Sequence, residues 1–199
     1  MFRDVFLPHL HKDAFPEIYG QERVKRDLLS ALLMGRHVVL VGPPGVGKTT
    51  LARCVAALLP SLIVADKKGI KKDLSGLDRF IRVQGSPDLT VEDLFGDIDP
   101  IKALQFGPLA PESFTPGIIF KADNGVLFFD ELNRCPEKLQ NALLQVLQDQ
   151  KVTISNYDVD LSANFILVAT MNPEDFAGTE RLSEVLLDRF DIITIGHPE

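Results

Sequence analysis

"HVVLVGPPGVGKTTLAR", residues 37–53, decides the fold. Behind His37 stands an unbroken apolar run, Val38 to Val41, the pattern of a strand buried on both faces. Gly42 to Thr49 then reads GPPGVGKT and fits G-x-x-x-x-G-K-[ST]. A helical pattern, "KTTLARCVAALLP", follows and ends at Pro60. In such a loop Gly42, Gly45 and Gly47 let the chain turn tightly and aim successive N–H groups at phosphate oxygens. Pro43, Pro44 and Val46 complete the cradle, and the helix N-terminus adds partial positive charge. Lys48 can reach a β- or γ-phosphate as a point charge. The Thr49 hydroxyl can ligate Mg²⁺, and Thr50 lines the same turn. A chance match in a chain of this length has a probability of roughly 0.7%, so a plain glycine-rich turn is the weaker reading.

The 199 residues suit one domain, and 45% hydrophobic against 25% charged residues suits an ordinary globular protein. A net charge of −7 argues against wrapping a nucleic-acid backbone. The two cysteines, Cys54 and Cys135, sit in no paired motif and are expected as reduced core residues, with Cys135 no nucleophile. The opening "MFRDVFLPHLHKD" has no apolar secretory core, and no window approaches the ~18 to 20 apolar residues of a membrane span. A soluble cytoplasmic protein is expected.

Five short apolar runs predict buried strands: 37–41, "FIRVQ" 80–84, "VLFFD" 126–130, "FILVAT" 165–170 and "DIITI" 191–195. Helical patterns lie between several of them. "ERVKRDLLSALLMG" puts Val24, Leu28, Leu29, Leu32 and Leu33 on one face and stops at Gly35. "CPEKLQNALLQVLQD" carries a stripe of Leu139, Leu143, Leu144 and Leu147. Such alternation predicts an α/β fold with a mostly parallel sheet covered on both faces. Two stretches interrupt it. Residues 96–125 are rich in Gly and Pro, and "KVTISNYDVDLS", 151–162, reads as a hairpin turning at Asn156-Tyr157.

Asp130 and Glu131 stand at the C-terminal end of the third apolar run, the sheet edge where ligands bind. Asp130 would serve a Mg²⁺ shell and Glu131 would act as general base on water. Alone, the pair also reads as an acidic cap on the next helix. Asn172 follows the fourth run and could orient the water or touch a γ-phosphate.

In this order the pieces resemble the AAA+ ATPases. "IYGQERVKRDLLSALLMGRHVVLVGPPGVGKTTLAR" is similar to the family's entry segment and Walker A, "VLFFDE" to Walker B, and Asn172 falls at the sensor-1 position. "LLDRF", 186–190, is similar to the arginine-finger segment. "VQGSPDLTVEDLFG" is similar to a MoxR segment, and "GDIDPIKALQFG" with "FTPGIIFKADNGVLFFDELNR" to the magnesium chelatase ATPase subunit. The resemblance implies a P-loop NTPase core over 15–199 behind an extension, 1–14. Its five parallel strands would run in the order 5-1-4-3-2, with a helix-2 insert at about 96–125 and a pre-sensor-1 hairpin at about 151–162. It implies ATP and Mg²⁺ as cofactors and Tyr19-Gly20 near the adenine. Gln84 would stand where it can restrain Glu131. Arg189 would reach the γ-phosphate of a neighbour in a homo-oligomeric, hexameric ring; Arg181 is the rival. A helical lid with a second arginine is implied beyond the fifth strand. The sequence given stops at "GHPE", so the lid is expected on a removed segment or another polypeptide. A von Willebrand A type partner is implied. A non-hydrolysing scaffold and a DNA-remodelling motor are the alternatives, the first opposed by the intact Asp130-Glu131 pair and the second by the net charge.

The remaining polar groups read blandly. His9, His11, His37 and His197 form no ligand spacing, with the first two in a flexible start. Glu92, Asp97 and Asp99 read as a solvated insert, and "DKKGIKKD", 66–73, as an exposed linker.

Overall fold

Strand formation here follows from apolar runs too short for helices, and helix formation from the repeats between them. The computed structural model describes residues 3–65, 71–108, 110–149, 151–154, 157–160, 164–172 and 182–196. A short helix α1 (Arg3–Phe6) precedes α2 (Glu22–Leu33). Then come β1 (His37–Val41), α3 (Lys48–Ala57) and a hairpin of β2 (Leu62–Ala65) and β3 (Lys71–Leu74). Next are β4 (Phe80–Gln84), α4 (Val91–Phe95), β5 (Gly96–Ile98), α5 (Pro100–Phe106) and β6 (Phe114–Pro116). The chain continues through β7 (Val126–Asp130), α6 (Glu137–Asp149) and the hairpin β8 (Lys151–Ile154) and β9 (Tyr157–Asp160). It closes with β10 (Ile166–Met171), α7 (Glu184–Leu187) and β11 (Phe190–Thr194).

Five strands form one parallel sheet in the order β11-β1-β10-β7-β4. That is the expected 5-1-4-3-2 order, with the last two strands displaced by one residue from the sequence reading. Each strand of the centre feeds both faces. Val38, Leu40, Val126, Phe128 and Val168 join Phe15, Leu28, Leu32, Leu51 and Val55 on one side. Val39, Leu127, Phe129, Leu167 and Ala169 join Leu94, Phe95, Leu139 and Leu143 on the other. This two-sided burial is why the runs do not alternate in polarity. The α2 pattern stops where predicted: Gly35 at φ +70 receives the turn, with Gly35 N–H on Leu32 O (3.1 Å) and Arg36 N–H on Ala31 O (2.9 Å).

Three expectations need correction. The first residues are not a loose tail: Phe6 is fully buried in the layer that holds Phe15, and α1 lies on α2. Exposing that ring would forfeit most of its transfer free energy, about 1.5–3 kcal/mol. The basic stretch is no linker throughout, since Lys71 to Asp73 belong to β3, paired with β2; residues 66–70 lie outside the described residues. In the later hairpin Tyr157 pairs with Ile154 and so opens the second strand instead of forming the turn. Within the 96–125 stretch, β5 and β6 pair antiparallel and enclose α5. Its Asp99 caps α5. Asp99 Oδ1 accepts from Ile101 N (2.9 Å), and Thr90 and Asp93 form a reciprocal capping box on α4.

His37 shows how tightly the sheet is set. Its Nδ1 accepts from Leu167 N–H at 3.1 Å, and its ring stacks on Phe165. Burial, helped by the Arg36 charge, pushes its pKa down to about 4. The unfolded chain therefore takes up this proton first as pH falls from about 6.5, and stability is lost between there and about 4. Between pH 7.5 and 5.0 the linkage amounts to about 2 kcal/mol. Urea midpoints at those two pH values are expected to show that loss in the wild type and to lack it in His37→Asn, whose amide oxygen can keep the acceptor. Equal pH slopes in both proteins would contradict the assignment.

Candidate functional site

The parallel register brings the ends of four strands to one edge. Val41 pairs with Met171, Ala169 with Phe129, and Gln84 with Asp130. Gly42, Asn172, Glu131 and Gly85 follow directly from these strand ends. A cleft of about 480 Å³ opens there, in the size range of small-ligand sites. Pro44, Gly45, Gly47, Lys48, Thr49 and Thr50 line one wall; Arg82, Gln84, Asp130, Glu131 and Asn172 line the other.

The loop 42–47 is built for an anion. Gly45 and Gly47 have φ of +83 and +92, and Gly47 caps α3 without any side-chain bond to its first turn. The free N–H groups of that turn and the helix dipole face the cleft. Lys48 Nζ donates to Gly42 O (2.5 Å), Pro43 O (2.9 Å) and Asn172 Oδ1 (3.4 Å). Desolvation holds its pKa below the ordinary lysine range, opposed by the charges of Asp130 and Glu131.

Two carboxylates face it. Glu131 leaves β7 in the left-handed region, φ 56, a backbone state that costs about 1–3 kcal/mol in a non-glycine residue. Its backbone is pinned there. Glu131 N–H donates to Thr170 Oγ1 (2.9 Å), and the same hydroxyl donates to Asp130 Oδ1 (2.7 Å). Gly85 passes beneath, its N–H on Asp130 O at 2.6 Å. A Cβ on Gly85 would meet Glu131 O at 2.1 Å, so only glycine fits. The Glu131 carboxylate accepts from Asn172 Nδ2 (3.0 Å), Gln84 Nε2 (2.9 Å) and Arg134 Nη1 (3.0 Å). Asp130 Oδ2 accepts from Arg82 Nη2 at 2.6 Å.

Lys48, Thr49, Thr50, Asp130, Glu131 and Asn172 are thus brought together, and Gln84 reaches Glu131. Gly42, Pro43 and Val46 belong to the loop without lining the cleft. Tyr19 is 89% exposed, and neither it nor Gly20 lines the cleft. Arg189 is exposed between α7 and β11, away from the cleft of its own chain. Arg181 lies outside the described residues. Among those residues no group of three or more His, Cys, Asp or Glu could hold a metal, and no helix is long and apolar enough to cross a membrane. Thr49 and Asp130 both line the cleft with a side-chain oxygen, the kind of ligand Mg²⁺ takes alongside phosphates and water.

Residues 37–192 match the family described as "ATPase family associated with various cellular activities (AAA)". The chain belongs to the AAA ATPase family. It is 31% identical over 182 residues to the chaperone MoxR1 of Mycobacterium tuberculosis, covering 91% of this chain and 42% of that protein. It is 31% identical over 214 residues to the magnesium-chelatase subunit ChlI of a Nostoc strain, covering 92% of this chain and 55% of that protein. Its fold superposes on a chain of the BchI–BchD magnesium chelatase complex, built on a cryo-EM reconstruction, with a TM-score of 0.71 and 25% identity over 94% of this chain and 62% of that one. The chain spans about half the length of the curated relatives it matches.

Three polar residues of this AAA ATPase site escaped the sequence reading: Thr170, Arg82 and Arg134. Arg82 left a trace, a charge two residues before Gln84 and so on the same strand face. Thr170 left none, because its role depends on register. It is fully buried, and its hydroxyl holds the Glu131 backbone N–H and the Asp130 carboxylate. Thr170→Val is expected to orphan the Glu131 N–H, destabilise the fold by about 1–3 kcal/mol, and lower phosphate release at least about tenfold with nucleotide affinity kept within about threefold. Thr170→Ser is expected to preserve both. Urea unfolding and a phosphate-release assay measure these, and full activity in Thr170→Val would contradict the role.

Proposed function

We propose that the chain binds Mg²⁺·ATP in this cleft and hydrolyses the β–γ bond as one subunit of a homo-oligomeric ring. The observation that carries the reading is Asn172, whose amide joins Lys48 at 3.4 Å to Glu131 at 3.0 Å. One side chain thereby links the phosphate cation to the carboxylate beside it. The loop amides and Lys48 would take the β- and γ-phosphates, exchanging the carbonyls of Gly42 and Pro43 for phosphate oxygens. Bound Mg²⁺, held by Thr49 and Asp130, would neutralise charge on the β- and γ-oxygens. Glu131 would take the proton of the attacking water, and Asn172 would fix its direction. Positioning and electrostatics do most of the work in such transfers, so a preformed cleft suits the task.

Arg189 supports the ring. A forked, always-charged donor exposed away from its own cleft suits a neighbour's γ-phosphate. The nucleotide-driven movement would be passed to a partner. Similarity to the ChlI subunit favours a metal-chelatase assembly with a von Willebrand A type protein; similarity to MoxR1 favours a chaperone role toward such partners. The ATPase step is common to both.

The test uses two variants. Glu131→Gln is expected to lower phosphate release by about 10²–10⁴-fold while keeping nucleotide binding. Arg189→Ala is expected to lower it by about 10³-fold or more. Mixing the two inactive proteins is expected to restore part of the activity, because sites with Glu131 from one subunit and Arg189 from the next are complete. No recovery on mixing would contradict action between subunits, and unchanged turnover in Glu131→Gln would contradict the assigned base.

A further inference from the structure

Among the described residues that line the cleft, Arg82 is the one cation besides Lys48, and it stands on the opposite wall. A single nitrogen, Nη2, bridges two acceptors: Asp130 Oδ2 at 2.6 Å and Gln84 Oε1 at 3.2 Å. The other end of the same Gln84 amide donates from Nε2 to Glu131 Oε2 at 2.9 Å. The chain Asp130–Arg82–Gln84–Glu131 therefore runs from the metal-shell carboxylate to the base without a gap. Its polarity is fixed by chemistry. A guanidinium only donates and a carboxylate only accepts, so the amide must present oxygen to Arg82 and nitrogen to Glu131.

We propose that Arg82 is a positioning residue that ties metal loading at Asp130 to the release of Glu131 from Gln84. The proposal rests on the reading of the cleft as a Mg²⁺·nucleotide site. A divalent ion at Asp130 competes for the carboxylate that Arg82 holds and repels its charge. Arg82 then loses its shorter bond and swings toward solvent, where it is already half exposed. Gln84 loses the donor that fixed its amide, and Glu131 is freed on that side to turn toward water. The base stays restrained until the metal and its nucleotide arrive. The coupling is reciprocal, so whatever loosens Gln84 also eases metal loading.

The experiment is calorimetry with a non-hydrolysable ATP analogue over a series of Mg²⁺ concentrations, read as the Mg²⁺ midpoint for tight uptake. Arg82→Ala is expected to lower that midpoint about threefold, the scale of an exposed ion pair. Gln84→Ala is expected to lower it about twofold, although Gln84 does not touch Asp130, and to add nothing in the Arg82→Ala background. An unchanged midpoint in Arg82→Ala, or the same Gln84→Ala shift in both backgrounds, would overturn the coupling alone. Absence of analogue uptake by the wild type at every Mg²⁺ concentration would overturn the nucleotide reading and the coupling with it.

Discussion

The parallel register of β1, β10, β7 and β4 is the constraint on which the site depends. Side-chain placement in a sheet has a period of two, so slipping one strand by one residue would turn its set of side chains to the other face. Here the register sets Thr170 beside the turn after β7, where one hydroxyl fixes the Glu131 backbone and one oxygen of Asp130. The apolar layers enforce that register. Val126 and Phe128 fill one face while Leu127 and Phe129 fill the other, each set packed into its own layer. Packing far from the cleft thus determines where two carboxylates stand.

The cleft holds opposed charges that satisfy one another. Lys48 rests on two loop carbonyls and Asn172, Asp130 on Arg82 and Thr170, and Glu131 on three donors. None of these groups needs to be made when a phosphate enters; each needs only to change partner. Exchange of that kind keeps polar groups paired and avoids the desolvation penalty of a buried orphan. The left-handed backbone of Glu131 is part of the same arrangement, in which its carboxylate meets Gln84 and Asn172 at the ends of the neighbouring strands and Arg134 in the turn that follows.

Much of this was legible in the sequence because it is local. The apolar runs and the glycine-rich loop are contiguous, and their two-sided burial follows from the lack of alternation. The sheet order came from family resemblance, since spacing alone does not order five strands. What could not be read depends on distance. Thr170 matters only through its neighbour across the sheet, and Arg82 only through Asp130. The β2–β3 pair was hidden because both strands are largely exposed: β2 is a short apolar run, Leu62–Ala65, that enters neither core layer, and β3 opens with two lysines. Phe6 sits in a charged segment whose average polarity masked one buried ring. Tyr19 and Gly20, placed near the adenine by resemblance, stand outside the described cleft wall.

A structure of the chain with Mg²⁺ and a non-hydrolysable ATP analogue tests the central claim most directly. The account predicts the terminal phosphates against the backbone amides of 45–49, Lys48 turned from Gly42 and Pro43 onto them, and Glu131 within hydrogen-bond reach of a water in line with the γ-phosphate. Nucleotide bound elsewhere, or a γ-phosphate beyond reach of Glu131, would contradict it.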